Sequence, residues 1–101
     1  MYAAINTATS GAGNTIVAAV AGKQIRVVGY VLNALTAVTA QWYTGVSAAL
    51  SGPIALGATG TVACPNDHVE GHFETVAGEA LKITLGGAVQ VSGHVVYKLI
   101  G

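Results

Sequence analysis

The most chemically suggestive residues of this chain are Cys64, His68 and His72, which recur every four positions. Cysteine and histidine are the usual ligands of zinc, and residues four apart meet on one face of an α-helix. Along a β-strand the same spacing separates side chains by about 13 Å, and Gly71 argues against a helix here. We therefore predict a buried cysteine and two surface or interface histidines, with no metal bound within one chain. A metal shared by copies of one histidine around a threefold axis stays open.

Nucleophilic catalysis by Cys64 would need a base and an orienting acid beside it. His68 and Asp67 are the nearby candidates, but neighbours in sequence rarely point at one another, and Pro65 biases Cys64 towards an extended backbone. No glycine pair opens a helix, as a phosphate cradle requires. We predict no enzyme and no cofactor, and a solvated loop that carries most of the acidic residues, which are Asp67, Glu70, Glu74 and Glu79.

The composition is unusually poor in charge. Only 8% of the 101 residues are charged, 52% are hydrophobic, and the mean hydropathy is +0.62. A monomer of this size should expose roughly 5,200 Å², which four acidic and four basic residues cannot cover. We predict one domain whose surface consists largely of small residues, in a chain that associates with itself.

The same composition excludes several partners. A formal net charge of zero with four Lys and Arg residues provides no cationic patch for nucleic acid. The first ten residues lack a basic region and an apolar core, and Lys23 and Arg26 end the longest early apolar run, so neither a secretory signal nor a membrane span is expected. A single cysteine excludes an internal disulfide.

Alternating apolar residues predict two hairpins. Leu81 to Leu85 and Val89 to Leu99 alternate with period two, and a three-residue loop, residues 86–88, would place their large side chains on one face. This loop should contain a glycine at positive φ. Residues 14–21 and 24–34 fit a second hairpin around Gly22 and Lys23, with Gly22 first in a type II′ turn.

The remaining chain supplies further short strands. Alternation over residues 38–44 places Trp42 in the core and Tyr43 outside, and Phe73 is expected to point inward. Residues 48–50 are predicted to form one helical turn, and Pro53 to open an edge strand. About eight short strands predict an all-β, antiparallel two-sheet sandwich, with a jelly roll first and an immunoglobulin-like sandwich second. Residues 1–13 are predicted to be an extended arm, on its own sheet or on a neighbouring subunit, and residues 14–101 the sandwich domain.

Apolar residues on faces that should meet water identify candidate contacts with a second subunit or another protein. On strand 24–34 the face opposite Ile25 is too apolar for solvent, and the same holds at the end of the chain. Ordinary packing within the monomer is an equal alternative for Tyr30 and Leu32. The candidate contact residues are Tyr2, Ile5, Arg26, Tyr30, Leu32, Tyr43, Val96 and Ile100.

Several short motifs resemble the small jelly-roll head decoration, or cement, proteins of tailed bacteriophages. They are residues 22–27 (GKQIRV), 42–45 (WYTG), 52–54 (GPI), 73–75 (FET), 78–81 (GEAL) and 91–97 (VSGHVVY). The resemblance implies a homotrimer on threefold and quasi-threefold positions of the outer head surface. There it would bind the major capsid protein and stabilise the capsid, with no catalytic residue. The alternative is a host-attachment or fibre-tip module that binds carbohydrate through Tyr43, near Gln41 and Thr44.

Overall fold

A computed structural model describes residues 1–45, 48–64 and 71–101, with the backbone alone for residues 12, 13 and 64. Within these residues the chain forms ten β-strands and no helix. The strands are β1 (Tyr2–Thr7), β2 (Gly11–Val17), β3 (Gln24–Ala34), β4 (Val38–Thr44), β5 (Ala48–Ala49), β6 (Ile54–Leu56), β7 (Thr61–Cys64), β8 (Phe73–Glu74), β9 (Leu81–Leu85) and β10 (Val91–Ile100).

The strands form two antiparallel sheets that pack face to face. Sheet A has the order β1-β10-β3-β7, and β8 lies beside β7 on the same edge of β3. Sheet B has the order β2-β9-β4-β5, and β6 continues the edge begun by β5. If β5 with β6 and β7 with β8 each count as one strand, the sandwich has eight strands. Renumbered from 1 to 8 along the chain, these strands form sheets of order 1-8-3-6 and 2-7-4-5, which is the jelly-roll arrangement. The predicted sandwich is confirmed, with ten strands instead of eight because two edges are interrupted.

Both predicted hairpins are wrong. β9 lies in sheet B and β10 in sheet A, and β2 and β3 are divided in the same way. Residues 86–90 therefore cross between the sheets, and neither Gly86 nor Gly87 has a positive φ. Period-two alternation tells which face is buried, but strands that face each other across a core satisfy it as well as strands that are hydrogen-bonded side by side.

Smaller local predictions also needed correction. The turn before β3 is closed by a bond from the Lys23 N–H to the Val20 carbonyl at 3.0 Å. Gly22, with φ of 72°, is therefore third in the turn, where type II requires a positive φ, and not first as in type II′. Ala48 and Ala49 form β5 and not a helical turn, because they pair with Thr44 and Tyr43.

The first residues lie on the chain's own sheet as an edge strand. Tyr2–Thr7 pairs along its whole length with β10, which is the first of the two alternatives for this segment, an edge strand on its own sheet. Residues 11–13 already belong to β2. Asn14 of β2 closes the corner between β1 and β2. It is buried, contacts the Thr7 hydroxyl, and its side-chain amide donates to the Thr9 carbonyl at 2.6 Å.

A β-bulge in β3 changes which of its residues face the core. Val96 pairs with Gly29 and Tyr97 with Val27, so Val28 is an extra residue without a partner in β10. Before the bulge Ile25 and Val27 join the core, and after it Tyr30, Leu32 and Ala34 do. The alternation of inward and outward side chains reverses at Val28, so the sequence of β3 reads as apolar on both faces. A second subunit is not needed to explain this apolar pattern.

Aromatic side chains fill the space between the sheets. Trp42 is completely buried, as predicted, and its ring lies 5.2 Å from that of Tyr30 in an edge-on arrangement. Phe73 points inward as expected, with its ring 5.9 Å from Trp42. Such pairs add about 0.5–1.5 kcal/mol beyond the burial of their area, so this cluster ties β3, β4 and β8 together across the two sheets.

Gly93 in β10 marks the closest approach of two backbones. Its φ is 144°, and a Cβ placed there would lie 1.9 Å from the Val31 carbonyl oxygen of β3. Only a residue without a side chain fits this close to the backbone of β3.

We expect Gly93→Ala to lower the free energy of unfolding by about 3 kcal/mol or more, since it adds backbone strain to a steric clash. Urea titration followed by Trp42 fluorescence measures this loss. The matched control is Gly87→Ala, where a new Cβ meets no atom within 4 Å. Equal stability of the two variants would contradict the described close approach of Gly93 to the backbone of β3.

Candidate contact surface on the outer face of sheet A

The eight predicted contact residues separate into three groups. Tyr2, Arg26, Val96 and Ile100 lie on the outer face of sheet A, by their position in the alternation of β1, β3 and β10. Tyr43 lies on the outer face of sheet B, next to Lys82 of β9. The other three lie between the sheets.

The prediction that Ile5, Tyr30 and Leu32 contact a partner is corrected by their burial. Ile5 is 1% exposed, Tyr30 7% and Leu32 0%. Ile5 points inward from the edge strand β1, and the bulge at Val28 turns the other two into the core. A partner cannot reach these side chains while the sandwich is folded.

Cross-strand register arranges the outer face of sheet A in rows. One row is polar and runs through Asn6, Ser92, Asn33 and Thr61. The Asn33 amide donates to the Thr61 hydroxyl at 2.7 Å. Gln90 donates to the Asn6 side-chain oxygen at 2.5 Å, which fixes the β1 end of the row.

The next two rows are mainly apolar. The first contains Ala4, His94, Val31 and Ala63, and the second contains Tyr2, Val96 and Gly29. Tyr2 is 77% exposed, and the neighbouring Met1 is 63% exposed. We call this surface the apolar patch, and its side chains are those of Met1, Tyr2, Ala4, Val31, Ala63, His94 and Val96.

The patch is not flat. Met1, Tyr2, His94 and Val96 line an open depression of about 440 Å³. An apolar side chain of a partner that enters it would leave water for walls that are mostly hydrocarbon, which is favourable. Few polar groups would lose hydration in return, because the His94 ring is exposed. This geometry suits a packing contact better than the recognition of a charged ligand.

A charged row borders the patch on the opposite side from the polar row. Lys98 is next to Arg26, and Arg26 is next to Glu74. The Arg26 guanidinium lies 3.4 Å from a Glu74 carboxylate oxygen, with the two side chains 24% and 39% exposed. An exposed pair of this kind contributes little to stability, so we interpret the row as the polar border of a contact surface.

The two acidic residues that the structure describes, Glu74 and Glu79, have different partners. Glu74 pairs with Arg26, whereas the Glu79 carboxylate accepts a 2.6 Å bond from the Thr44 hydroxyl. That hydroxyl in turn accepts a bond from the Val76 N–H at 2.9 Å. The Thr44 side chain is buried, so it is turned away from Tyr43, and the predicted carbohydrate-binding set of Tyr43, Gln41 and Thr44 is not assembled on one face.

The predicted chemistry around Cys64 lies mostly outside the described residues. The structure does not describe His68, Asp67, Glu70 or the Cys64 side chain. His72 is exposed, and its ring lies 6.4 Å from that of Tyr30. Among residues 1–45, 48–64 and 71–101, no three potential metal ligands come together.

Sequence reasoning found Tyr2 and Val96 but missed their neighbours in the apolar patch. Val31, Ala63 and Ala4 become neighbours only through the pairing of four strands in sheet A, and their residue types alone carry no signal. The described residues contain no helix of the length and hydropathy needed to cross a membrane.

Comparison with protein-family models, curated proteins and solved structures gave no significant match.

Chemical modification would test which of the predicted contact residues are exposed and which are buried. We expect N-acetylimidazole to acetylate Tyr2 at least about tenfold faster than Tyr30 in the folded protein, because a buried side chain reacts only when the structure opens. Peptide mass spectrometry on dilute protein measures both rates, and urea-unfolded protein is the control in which they should converge. Equal rates in the folded protein would contradict the burial of Tyr30.

Proposed function

We propose that this chain is a structural protein of a phage head, which associates with copies of itself and binds the major capsid protein on the outer surface. The observation that carries the proposal is the apolar patch on the outer face of sheet A. The resemblance to head decoration proteins supplies the identity of the partner and the expected three copies at threefold and quasi-threefold positions.

The pattern of the patch supports a protein contact. Stable protein interfaces have an apolar centre and a polar rim, and here the centre of the face lies between a polar row and a charged row. A typical interface covers about 800 Å² per partner, which is about a sixth of the 4849 Å² that the chain exposes. An interface of this size on the outer face of sheet A would include the patch and its two bordering rows.

The low charge also supports a packing role over a catalytic or nucleic-acid role. The charged side chains described on the outer face of sheet A include the ion pair of Arg26 with Glu74, next to Lys98, and they are confined to one row. Contacts made by uncharged groups are little affected by ionic screening. A protein that must stay bound to a particle released into varied surroundings benefits from such a contact.

Substitution in the patch separates association from folding. We expect Val96→Glu to weaken self-association or head binding at least about tenfold, because it places a charge in the apolar centre, while the free energy of unfolding changes by less than about 1 kcal/mol. Thr39→Glu, on the exposed outer face of sheet B, is the matched control. Light scattering after size exclusion and urea titration measure the two quantities.

Two outcomes of this comparison would contradict the proposal. One is equal association of Val96→Glu and the control, and the other is a loss of folding stability as large as the loss of association. A strong dependence on salt between about 0.05 and about 0.5 M would also argue against an uncharged contact. Immunogold labelling of intact particles tests the location, and label on tails or on no particle would reject the head assignment.

The second candidate function is carbohydrate binding by the outer face of sheet B, in a host-attachment or fibre-tip module. It is favoured by the position of Tyr43, an aromatic ring that lies between Lys82 and Ala49 on a face that also carries Gln41 and Thr84. Sugars commonly stack on such rings, and the Lys82 and Gln41 side chains beside Tyr43 would bind their hydroxyls, whereas the Thr84 hydroxyl is buried.

A glycan array tests this candidate directly. Binding that is lost in Tyr43→Ala and kept in Tyr2→Ala would favour carbohydrate recognition over head decoration. We expect no glycan binding above background for either variant or for the unsubstituted protein, because the Gln41 amide already donates to the Ser51 carbonyl at 2.8 Å and Thr44 is turned inward. Specific binding through Tyr43 would overturn the leading proposal.

A further inference from the structure

The free edge of β1 differs from the other three edges of the sandwich. β1 pairs with β10 over six residues without a register shift, and it contains no charged residue, proline or glycine. Natural proteins usually protect edge strands with charges, prolines, bulges or interruptions, since an open edge is a template for another strand. β1 has none of these devices.

The other edges are blunted within the residues that the structure describes. The pairing of β2 with β9 shifts register twice. The edge formed by β5 and β6 has two and three residues on either side of an interruption that includes Pro53. The edge formed by β7 and β8 is divided between Cys64 and Phe73.

Backbone geometry shows which groups of β1 point to its free edge. The Tyr97 N–H donates to the Met1 carbonyl at 2.8 Å. Because residues of an antiparallel strand alternate between neighbours, the groups of Ala3, Ile5 and Thr7 also face β10. The N–H and C=O groups of Tyr2, Ala4 and Asn6 therefore point away from the sheet, and no described residue forms a backbone hydrogen bond with them.

We propose that two copies of this chain pair antiparallel through β1, about a twofold axis at Ala4. In this register Ala4 lies opposite its own copy, and Tyr2 lies opposite Asn6 of the second copy. All six outward groups of each strand are then used in six hydrogen bonds between the copies. The strand is self-complementary because its three edge-facing residues are spaced symmetrically around Ala4, and alanine is small enough to lie on the axis.

The pairing also joins the apolar patches of the two copies. The row that contains Ala4, His94, Val31 and Ala63 runs across sheet A and ends at β1. A second copy related by the axis continues this row without a break, so one joined sheet of ten strands carries a doubled apolar surface. The continuity with a patch already present on one copy favours a second copy over an unrelated extended peptide.

Closure at two copies follows from the blunted edges. After β1 is used, each end of the joined sheet is the edge of β7 and β8, which in the part of the chain that the structure describes provides only strands of four and two residues for further growth. An isologous contact of this kind forms a closed pair and not a fibre. The pairing needs only the chain itself, so it does not rest on the proposed head function. Where a threefold contact also forms, the β1 pair would join two trimers.

Light scattering over a range of concentrations tests the pairing. We expect an even number of copies, with a limiting mass of twice the 10.0 kDa chain when β1 is the only contact. Ala4→Lys should raise the dissociation constant at least about tenfold, since it places two like charges across the axis. Ala55→Lys is the matched control, an exposed alanine in the blunted edge strand β6.

Engineered cysteines test the register independently of the charge. Ala4→Cys should form an intermolecular disulfide between the two introduced thiols, because paired residues at the axis lie about 5.5 Å apart. Asn6→Cys should not, since the two copies of residue 6 would be about 13 Å apart. Mass spectrometry of the cross-linked peptide distinguishes this bond from one that involves Cys64.

Three results would overturn the inference. They are a monomer at every concentration, a trimer unaffected by Ala4→Lys, and cross-linking of Asn6→Cys as fast as of Ala4→Cys. A trimer that is lost in Val96→Glu and kept in Ala4→Lys would reject the pairing and leave the proposed function standing. Formation of the Ala4→Cys disulfide by a protein that no label locates on phage heads would support the pairing and reject the proposed function.

Discussion

The arrangement of sheet A depends on the single extra residue Val28 in β3. Without it, one face of this long strand would carry Ile25 and Val27 into the core and leave Tyr30 and Leu32 in solvent. The bulge reverses the alternation, so both halves of the strand contribute to one core. It also places Arg26 and Val31 on the same outer face, which is why that face has a charged border on one side and an apolar centre beside it. Gly93, on the neighbouring strand β10, lets the backbones of β10 and β3 approach closely at Val31.

The sequence predicted burial better than it predicted neighbours. Alternation correctly placed Leu81, Ile83 and Leu85 inside, and it placed Trp42 in the core with Tyr43 outside. It could not tell whether β9 and β10 are hydrogen-bonded or face each other across the core, because both arrangements bury the same faces. A jelly roll separates consecutive strands into different sheets, so the assumption that neighbours in sequence form hairpins fails throughout most of this fold.

The candidate contact surface was only partly predictable for a related reason. Tyr2 stood out as a large apolar residue of the predicted arm and Val96 as an apolar residue where a polar one was expected, and both lie on the outer face. Tyr30 and Leu32 stood out in the same way but are buried, since a bulge cannot be distinguished from a two-sided strand by periodicity alone. The short apolar run that contains Val27, Val28 and Gly29 is the local signal that could have suggested the bulge. Val31 and Ala63 join the patch only through cross-strand register, which depends on the complete topology.

The strand order also affects how the chain can fold during synthesis. β1 and β2 precede the other strands in the chain, yet their partners are the last two: Tyr2 pairs with Val96 and Thr15 with Lys82. Non-local pairings of this kind slow folding. During synthesis β1 has no β10 beside it until residues 91–100 have been added, so this uncharged strand stays unpaired while the strands between them are made.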